Sequence, residues 1–195
     1  MVSGLVLAAG LSRRMGRPKQ LLRLGATTML ERTIQVAACS QLDEIVVVIS
    51  PTLADQMRWD APSRVRRVVN PTPQDGQSSS LRLGLASLSK ESSGALVLMC
   101  DQPGVTVALV DHLLEAWRSH PAGALVPTYK HERGTPTLLG AELWPLVAQL
   151  TGDTGARAVF SSHPEVVRTI EVGHLGTPDD IDTPDKYAET LDRAP

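Results

Sequence analysis

Short apolar bursts rich in β-branched residues alternate along the chain with longer stretches whose apolar positions recur at helical spacing. The bursts at 5–9, 44–49, 65–69, 95–100, 124–126 and 166–170 are bounded by Gly, Pro, Asn, Asp or Ser and predict buried strands. Between them, 28–38, 78–89, 106–119 and 142–150 carry an apolar stripe on one helical face, as Val107, Val110, Leu113, Leu114 and Trp117 do in the third. Strands and helices in alternation predict an α/β fold around a largely parallel sheet. No internal repeat, low-complexity segment or linker interrupts the pattern, so residues 1–195 are read as one domain.

In such a sheet, ligands sit beyond the carboxyl ends of the strands. Gly10 follows the first predicted strand, the segment 70–80 follows the third, and Asp101 ends the fourth, so three loops are expected to converge on one cleft. The first loop is the richest in chemistry. Gly10 and Gly16 permit backbone angles closed to other residues, and the amides between them can turn inward around an anion. Arg13, Arg14, Arg17 and Lys19 add full charges. Five residues separate the two glycines and Arg17-Pro18 follows the second, which excludes a P-loop, and the dinucleotide spacing G-x-G-x-x-G is absent. The arrangement points to a polyphosphate ligand held by its phosphates.

Composition narrows the ligand further. The 195 residues are 42% hydrophobic and 21% charged with a formal net charge of −2, which fits a globular protein without general affinity for nucleic acid. Of 19 lysines and arginines, five lie between positions 13 and 23, a concentration suited to one small polyanion. Trp59, Trp117 and Trp144 form no stacking platform with nearby cations and are read as packing residues. Cys39 and Cys100 lack metal-site spacing and are expected to be small core residues in a reduced compartment. The chain has neither a leader-like N-terminal segment nor an apolar run of membrane-spanning length, so a cytoplasmic location without membrane contact is expected. The five histidines have no ligand spacing, and Ser12 lacks the Gly-x-Ser-x-Gly elbow of a hydrolase.

Val97-Leu98-Met99-Cys100 would deliver the Asp101 carboxylate rigidly to a strand end, a position suited to Mg²⁺ held by one or two carboxylates plus substrate phosphates. A second carboxylate is available in Asp179-Asp180-Ile181-Asp182, where N-capping of a helix begun by Thr183-Pro184 is the competing use. Lys19 and Arg14 are candidates for stabilising charge on transferring phosphates. Gly76 allows close backbone approach, and Ser80 is expected to begin a helix whose amides face a nucleotide, with capping as the alternative use of Ser78 to Ser80. Ala8 and Ala9 leave room for a base above the first strand. Arg133 and Arg157 are candidates for an acceptor phosphate or carboxylate.

The run Leu7-Ala-Ala-Gly10-x-Ser12-x-Arg14-Met-Gly16-x-Pro-Lys19 resembles the signature loop of the nucleotidyltransferases that activate sugar phosphates, isoprenoid precursors and molybdopterin. The resemblance continues through Gly76-Gln-Ser-Ser-Ser80, Cys100-Asp-Gln-Pro103, Arg133-Gly-Thr-Pro136, Gly152-Asp-Thr-Gly-Ala-Arg157 and Asp180-Ile-Asp-Thr-Pro184. It is strongest to the molybdenum cofactor branch, and within it to the cytidylyltransferases rather than the guanylyltransferases. Thr135 departs from it, where that branch more usually has asparagine. The resemblance implies a single Rossmann-like three-layer domain of the nucleotide-diphospho-sugar transferase type. It implies a Mg²⁺-dependent transfer of CMP from CTP to the phosphate of molybdopterin, with release of pyrophosphate. Leu7, Ala8, Ala9, Gly10, Ser12, Arg14, Lys19, Gly76, Ser80 and Asp101 would contact the nucleotide. Arg14, Lys19 and Asp101 would act in catalysis. Asp101 and Asp182 would hold the metal, with Asp180 as the rival of Asp182. GTP or another triphosphate with another phosphorylated acceptor is the alternative of the same class. A non-catalytic molybdenum cofactor carrier is the alternative of another class, and contact with a molybdoenzyme or its insertion chaperone is compatible with either.

Overall fold

The computed structural model describes residues 1–193. Its centre is one eight-stranded sheet, built from β1 (Val2–Ala8), β4 (Glu44–Ile49), β5 (Val65–Val69), β6 (Gly94–Met99), β7 (Ala124–Tyr129), β8 (Glu132–Arg133), β9 (Thr137–Gly140) and β10 (Val167–Glu171). The order across the sheet is β10-β7-β9-β6-β1-β4-β5, with β8 paired to β7. Neighbours from β5 to β6 are parallel, as are β7 and β10, while β9 runs antiparallel to both β6 and β7. A small hairpin, β2 (Arg23–Leu24) with β3 (Thr27–Thr28), lies apart from the sheet.

The central strands lie close to their expected bounds because each is an apolar run buried on both faces, as parallel strands covered by helices must be, whereas the edge strands β5 and β10 keep exposed residues such as Arg66 and Glu171. β1 is buried over its whole length. Its residues alternate between two apolar layers. Val2, Val6 and Ala8 pack with α1 (Met29–Cys39), α2 (Pro51–Gln56) and α4 (Val107–Ser119), while Leu5, Leu7 and, just past the strand, Ala9 pack on the side of α3 (Gln77–Ala86), α5 (Trp144–Val147) and α6 (Arg157–Ser162). The three layers expected from sequence are these two helical layers and the sheet. No helix among the described residues is long and apolar enough to cross a membrane.

Local chemistry sets the helix starts. Thr28 caps α1 through a reciprocal box, its hydroxyl accepting the Glu31 N–H at 3.2 Å while the Glu31 carboxylate accepts the Thr28 N–H at 2.7 Å. Thr106 caps α4 by accepting the Leu109 N–H at 3.1 Å.

Several elements depart from the sequence expectation, which also lacks α2, the β2–β3 hairpin and β8. The helix expected over 142–150 is only the short α5, preceded by a 3₁₀ turn and containing Pro145, which cannot donate to a helical ladder. Thr137-Leu-Leu-Gly140, too short to read alone, becomes β9 because it inserts between β6 and β7 and is buried throughout. α6 was likewise not anticipated, since two apolar residues, Val159 and Phe160, make its core contact.

Gly84 lets α3 sit directly on β1, for a Cβ there would overlap the Leu5 side chain, which is fully buried and cannot move aside. Helix propensity alone would make Gly84→Ala stabilising by about 1 kcal/mol. Overpacking against Leu5 should outweigh that, giving a net loss of ~1–2 kcal/mol. Urea denaturation checks this: a lower midpoint with an unchanged slope is expected, and a raised midpoint would contradict the close packing.

Candidate active site

The loop after β1 is ordered from within by a residue the sequence analysis passed over. Gln20 is 1% exposed, and its Nε2 donates to the Ala8 carbonyl at 2.9 Å and the Gly10 carbonyl at 2.7 Å. Its Oε1 accepts the Ser12 hydroxyl at 3.3 Å, and Ser12 Oγ in turn accepts the Lys19 N–H at 3.0 Å. Ser12 and Gly16 both take positive φ, 51° and 67°. One buried amide therefore folds the loop back on the strand end and aims Lys19 inward. A neutral amide directly after Pro-Lys was the available signal. Beneath the loop, Met15 and Leu22 pack with Met29 and Ile181, which joins it to the segment carrying Asp182.

Lys19 stands between two carboxylates. Its Nζ donates to Asp101 Oδ2 at 2.5 Å and to Asp182 Oδ1 at 2.6 Å, all three side chains being largely buried. Arg14 approaches the other oxygen of Asp182 at 2.7 Å, but its side chain is 69% exposed and the pair adds little to the fold. Burial works against the Lys19 charge, yet the Asp101 carboxylate and hydrogen bonds to both acids outweigh it and hold the ammonium above its ordinary pKa. Burial would raise Asp182. Its hydrogen bond to Lys19, with the charges of Lys19 and Arg14, brings it down instead to about 2. Asp180 is turned outward to Lys186, 2.7 Å away, near the start of α7 (Pro184–Arg193). Of the two rival acids, Asp182 is the one that meets Asp101 at Lys19. The Asp182 segment is fixed there by the Ile181 N–H donating to the Asp101 carbonyl at 2.9 Å and by Gln102 Nε2 donating to the Pro178 carbonyl at 3.1 Å.

These groups line a cleft of about 500 Å³ that also receives Leu7, Ala9, Gly10, Gly76 and Ser80. Ala8 does not face it: strand alternation turns its side chain into the opposite apolar layer, and its carbonyl is taken by Gln20. Space for a ring above the first strand comes from Ala9 alone. Arg17 lies over the Tyr187 ring, 5.9 Å from its centroid, outside the cleft lining that includes Arg13. Arg133 and Arg157 are exposed and also outside that lining. Cys100 lines the cleft, where burial, with the Asp101 charge beside it, pushes the thiol pKa up and keeps it protonated. Cys39 is exposed on α1, which corrects the expectation of a core position.

The start of α3 differs from expectation. The helix begins at Gln77 rather than Ser80, and its first amides are taken by the chain itself. Asp153 Oδ1 accepts the Gln77 N–H at 3.3 Å, and the Gly152 carbonyl accepts the Ser78 N–H at 3.2 Å and the Ser78 hydroxyl at 2.8 Å. This crossing is close enough that a Cβ on Gly76, whose φ is 91°, would overlap the Gly152 backbone. Asp153, absent from the expected site, therefore lines the cleft as the internal anion at this helix end.

Among the described residues, no group of three or more His, Cys, Asp or Glu side chains is placed to hold a metal ion. Asp101 and Asp182 nonetheless suit a hard divalent cation. They offer oxygen donors converging on one point, already occupied by a cationic group, beside an open cleft that phosphates can enter.

The mixed sheet, with a glycine loop at the end of β1 and a cleft beyond the strand ends, is the fold of the nucleotide-diphospho-sugar transferase type. Residues 4–167 match the MobA-like NTP transferase domain, and the chain belongs to that family. Among curated proteins it is 31% identical to nicotine blue oxidoreductase of Paenarthrobacter nicotinovorans, over 97% of this chain and 96% of the relative. It is also 31% identical to the purine catabolism protein PucB of Bacillus subtilis, over 94% and 93% of the two chains. A third relative at 31% identity, over 71% and 70%, is named "Probable molybdenum cofactor guanylyltransferase" in Synechococcus elongatus. Among solved structures, the Mycobacterium tuberculosis Rv0371c homolog from Mycobacterium sp. strain JC1 superposes with a TM-score of 0.87 at 31% identity, covering 99% of this chain and 96% of that one. A manganese complex of Rv0371c from Mycobacterium tuberculosis H37Rv gives a TM-score of 0.79 at 28% identity, covering 98% and 97%.

Because the folded Asp182 titrates near 2, below the unfolded value of about 3.9, its contribution to stability is complete above about pH 4 and lost as pH falls toward 2. Asp182→Asn should remove that dependence. Urea midpoints of wild type and variant are expected to converge between about pH 4 and pH 2, and parallel profiles would show that the Lys19 contact stabilises nothing.

Proposed function

We propose that this protein is a Mg²⁺-dependent nucleotidyltransferase that moves CMP from CTP to the phosphate of molybdopterin and releases pyrophosphate. The observation that carries the reading is Lys19, held by Asp101 and Asp182 at the cleft and next to the glycine loop. The relative named for molybdenum cofactor guanylyl transfer supports the acceptor. The resemblance of Asp101-Gln-Pro103 and of Gly152-Asp-Thr-Gly-Ala-Arg157 to the cytidylyl branch supports the base.

The chemistry asks no covalent participation of the chain. An oxygen of the acceptor phosphomonoester attacks the α-phosphorus, a new P–O bond forms, and the bond to the β-phosphate oxygen breaks, so pyrophosphate carries away the electron pair. Positioning and charge neutralisation remain for the protein. Asp101 and Asp182 would hold Mg²⁺, which when bound neutralises charge on phosphate oxygens. Lys19 stabilises charge at the α-phosphate and the departing pyrophosphate. Arg14, reaching inward from the loop to Asp182, is placed to share that task. Gly10, Ser12 and Gly76 bring backbone and hydroxyl groups against the phosphates and sugar, while Leu7, Ala9 and Ser80 wall the base. Transfer of the product to a molybdoenzyme or its insertion chaperone would follow release.

Pyrophosphate release by the purified chain with Mg²⁺ and molybdopterin, offered CTP, GTP, ATP and UTP separately, tests the reading. Release with CTP and dependent on molybdopterin is expected. Preference for GTP would replace the base, and stoichiometric cofactor binding without release would make the chain a carrier. Lys19→Ala and Asp101→Asn should each lower the rate at saturating substrates by ~10²–10³-fold, the range for removing a group that stabilises transition-state charge. An unchanged rate in either variant would remove that residue from the mechanism.

A further inference from the structure

The serine run at the start of α3 could serve a base or cap a helix, and its hydrogen bonds separate those uses residue by residue. Asn70 is buried just past β5, and its amide orientation is set by Thr72, whose N–H donates to Asn70 Oδ1 at 3.0 Å. A backbone N–H can only donate, so Oδ1 must face it and both amide hydrogens must point away. There Asn70 Nδ2 donates to Ser79 Oγ at 2.8 Å and to Ser80 Oγ at 3.0 Å. Ser79 passes its own hydrogen to the Gly76 carbonyl at 2.8 Å, the shorter of two contacts, the Thr72 carbonyl lying at 3.2 Å. Ser80 has no such outlet. The carbonyl four residues back, which a helical serine commonly takes, is that same Gly76 oxygen, and it also accepts the Ser79 N–H at 3.2 Å. Both its lone pairs are thus in use. No hydrogen bond donated by the Ser80 hydroxyl is found among the described residues, and Ser80 lines the cleft.

We propose that Asn70 is a positioning residue that fixes Ser80 as a hydrogen-bond donor toward the nucleobase. This wall of the cleft then selects a base presenting an acceptor there, as the O2 and N3 edge of cytosine does. The proposal rests on the nucleotide-binding reading above and assigns Asn70 a part in it. A hydroxyl free to rotate meets donor and acceptor alike, whereas one that accepts from a locked amide and makes no internal bond with its own hydrogen turns that hydrogen toward the cleft. A base offering a donor at that point would leave the Ser80 hydrogen unpaired in a desolvated site, which is where polar discrimination is strongest.

Asn70→Asp keeps the size of the side chain and the acceptor for Thr72 but presents only oxygens to the serines. Ser80 then turns its hydrogen inward and shows lone pairs to the cleft. The new carboxylate would also repel phosphates, so nucleotide affinity is read as a ratio to that of inorganic tripolyphosphate, which senses the charge and carries no base. Isothermal titration of wild type, Asn70→Asp, Ser80→Ala and the double variant measures this ratio, with circular dichroism to verify folding. The ratio for CTP is expected to fall ~10-fold in Ser80→Ala and ~100-fold in Asn70→Asp, in line with a lost and an opposed buried hydrogen bond. The double variant should recover to the level of Ser80→Ala, because removing the hydroxyl removes the opposition. An unchanged ratio in Asn70→Asp, or independent losses that multiply in the double variant, overturns the proposal. Asn70→Ala, which only frees the hydroxyl, is expected to give an intermediate loss, and no loss there overturns it as well. If wild type holds GTP more tightly than CTP, the cytidylyl reading fails and the same comparison is made with GTP. If it holds no triphosphate better than tripolyphosphate, both fail.

Discussion

One ammonium group ties together the parts of this chain that make a site. Lys19 reaches Asp101, 82 residues away, and Asp182, 163 residues away, and each contact is a charge-assisted hydrogen bond in a largely water-excluded place. Burial works against the lysine charge, and the two carboxylates offset that cost. The cluster is therefore mutually conditional: removing one member leaves the others buried and uncompensated, which costs more than the attraction itself provides. That dependence draws the C-terminal segment across the end of β6 and sets the mouth of the cleft. The same three groups are what polyphosphate and a divalent cation would engage, since each can exchange an internal partner for a ligand of the same sign.

Around this cluster the chain satisfies its own polar groups closely. The start of α3 gives its first amides to Gly152 and Asp153, the strand-end carbonyls of the first loop go to Gln20, and Asn70 occupies the serines behind the cleft wall. A cleft built this way is preorganised: its walls keep their polarity before any ligand arrives, which limits reorganisation on binding. It also means that a short sequence motif and its structural use need not coincide. Gly76-Gln-Ser-Ser-Ser80 reads as an anion-binding helix start, yet the anion at its first turn is a side chain of the same molecule.

The central strands were legible in the sequence because a parallel strand covered on both faces is a continuous apolar run, as β4 is at its expected bounds. The cleft was legible for a related reason, since strand ends fix where Gly10, Gly76 and Asp101 emerge. β9 was not legible, because four residues carry no period and its antiparallel insertion depends on the gap left between β6 and β7. Gln20, Asn70 and Asp153 were missed for another reason. Their importance lies in which carbonyl or amide they reach, and residue type alone does not report that.

The sequence by itself determined the class of fold, the family, and the concentration of cations after the first strand, all of which follow from local pattern and motif order. Tertiary structure set Asp182 rather than Asp180 beside Asp101 at Lys19, turned Ala8 away from the cleft while leaving Ala9 in it, and gave each serine after β5 a different hydrogen-bond duty. The physical reason is common to all three. Hydrophobic periodicity is a property of neighbouring residues, whereas the partner of a buried polar group is set by segments that meet only once the chain has folded.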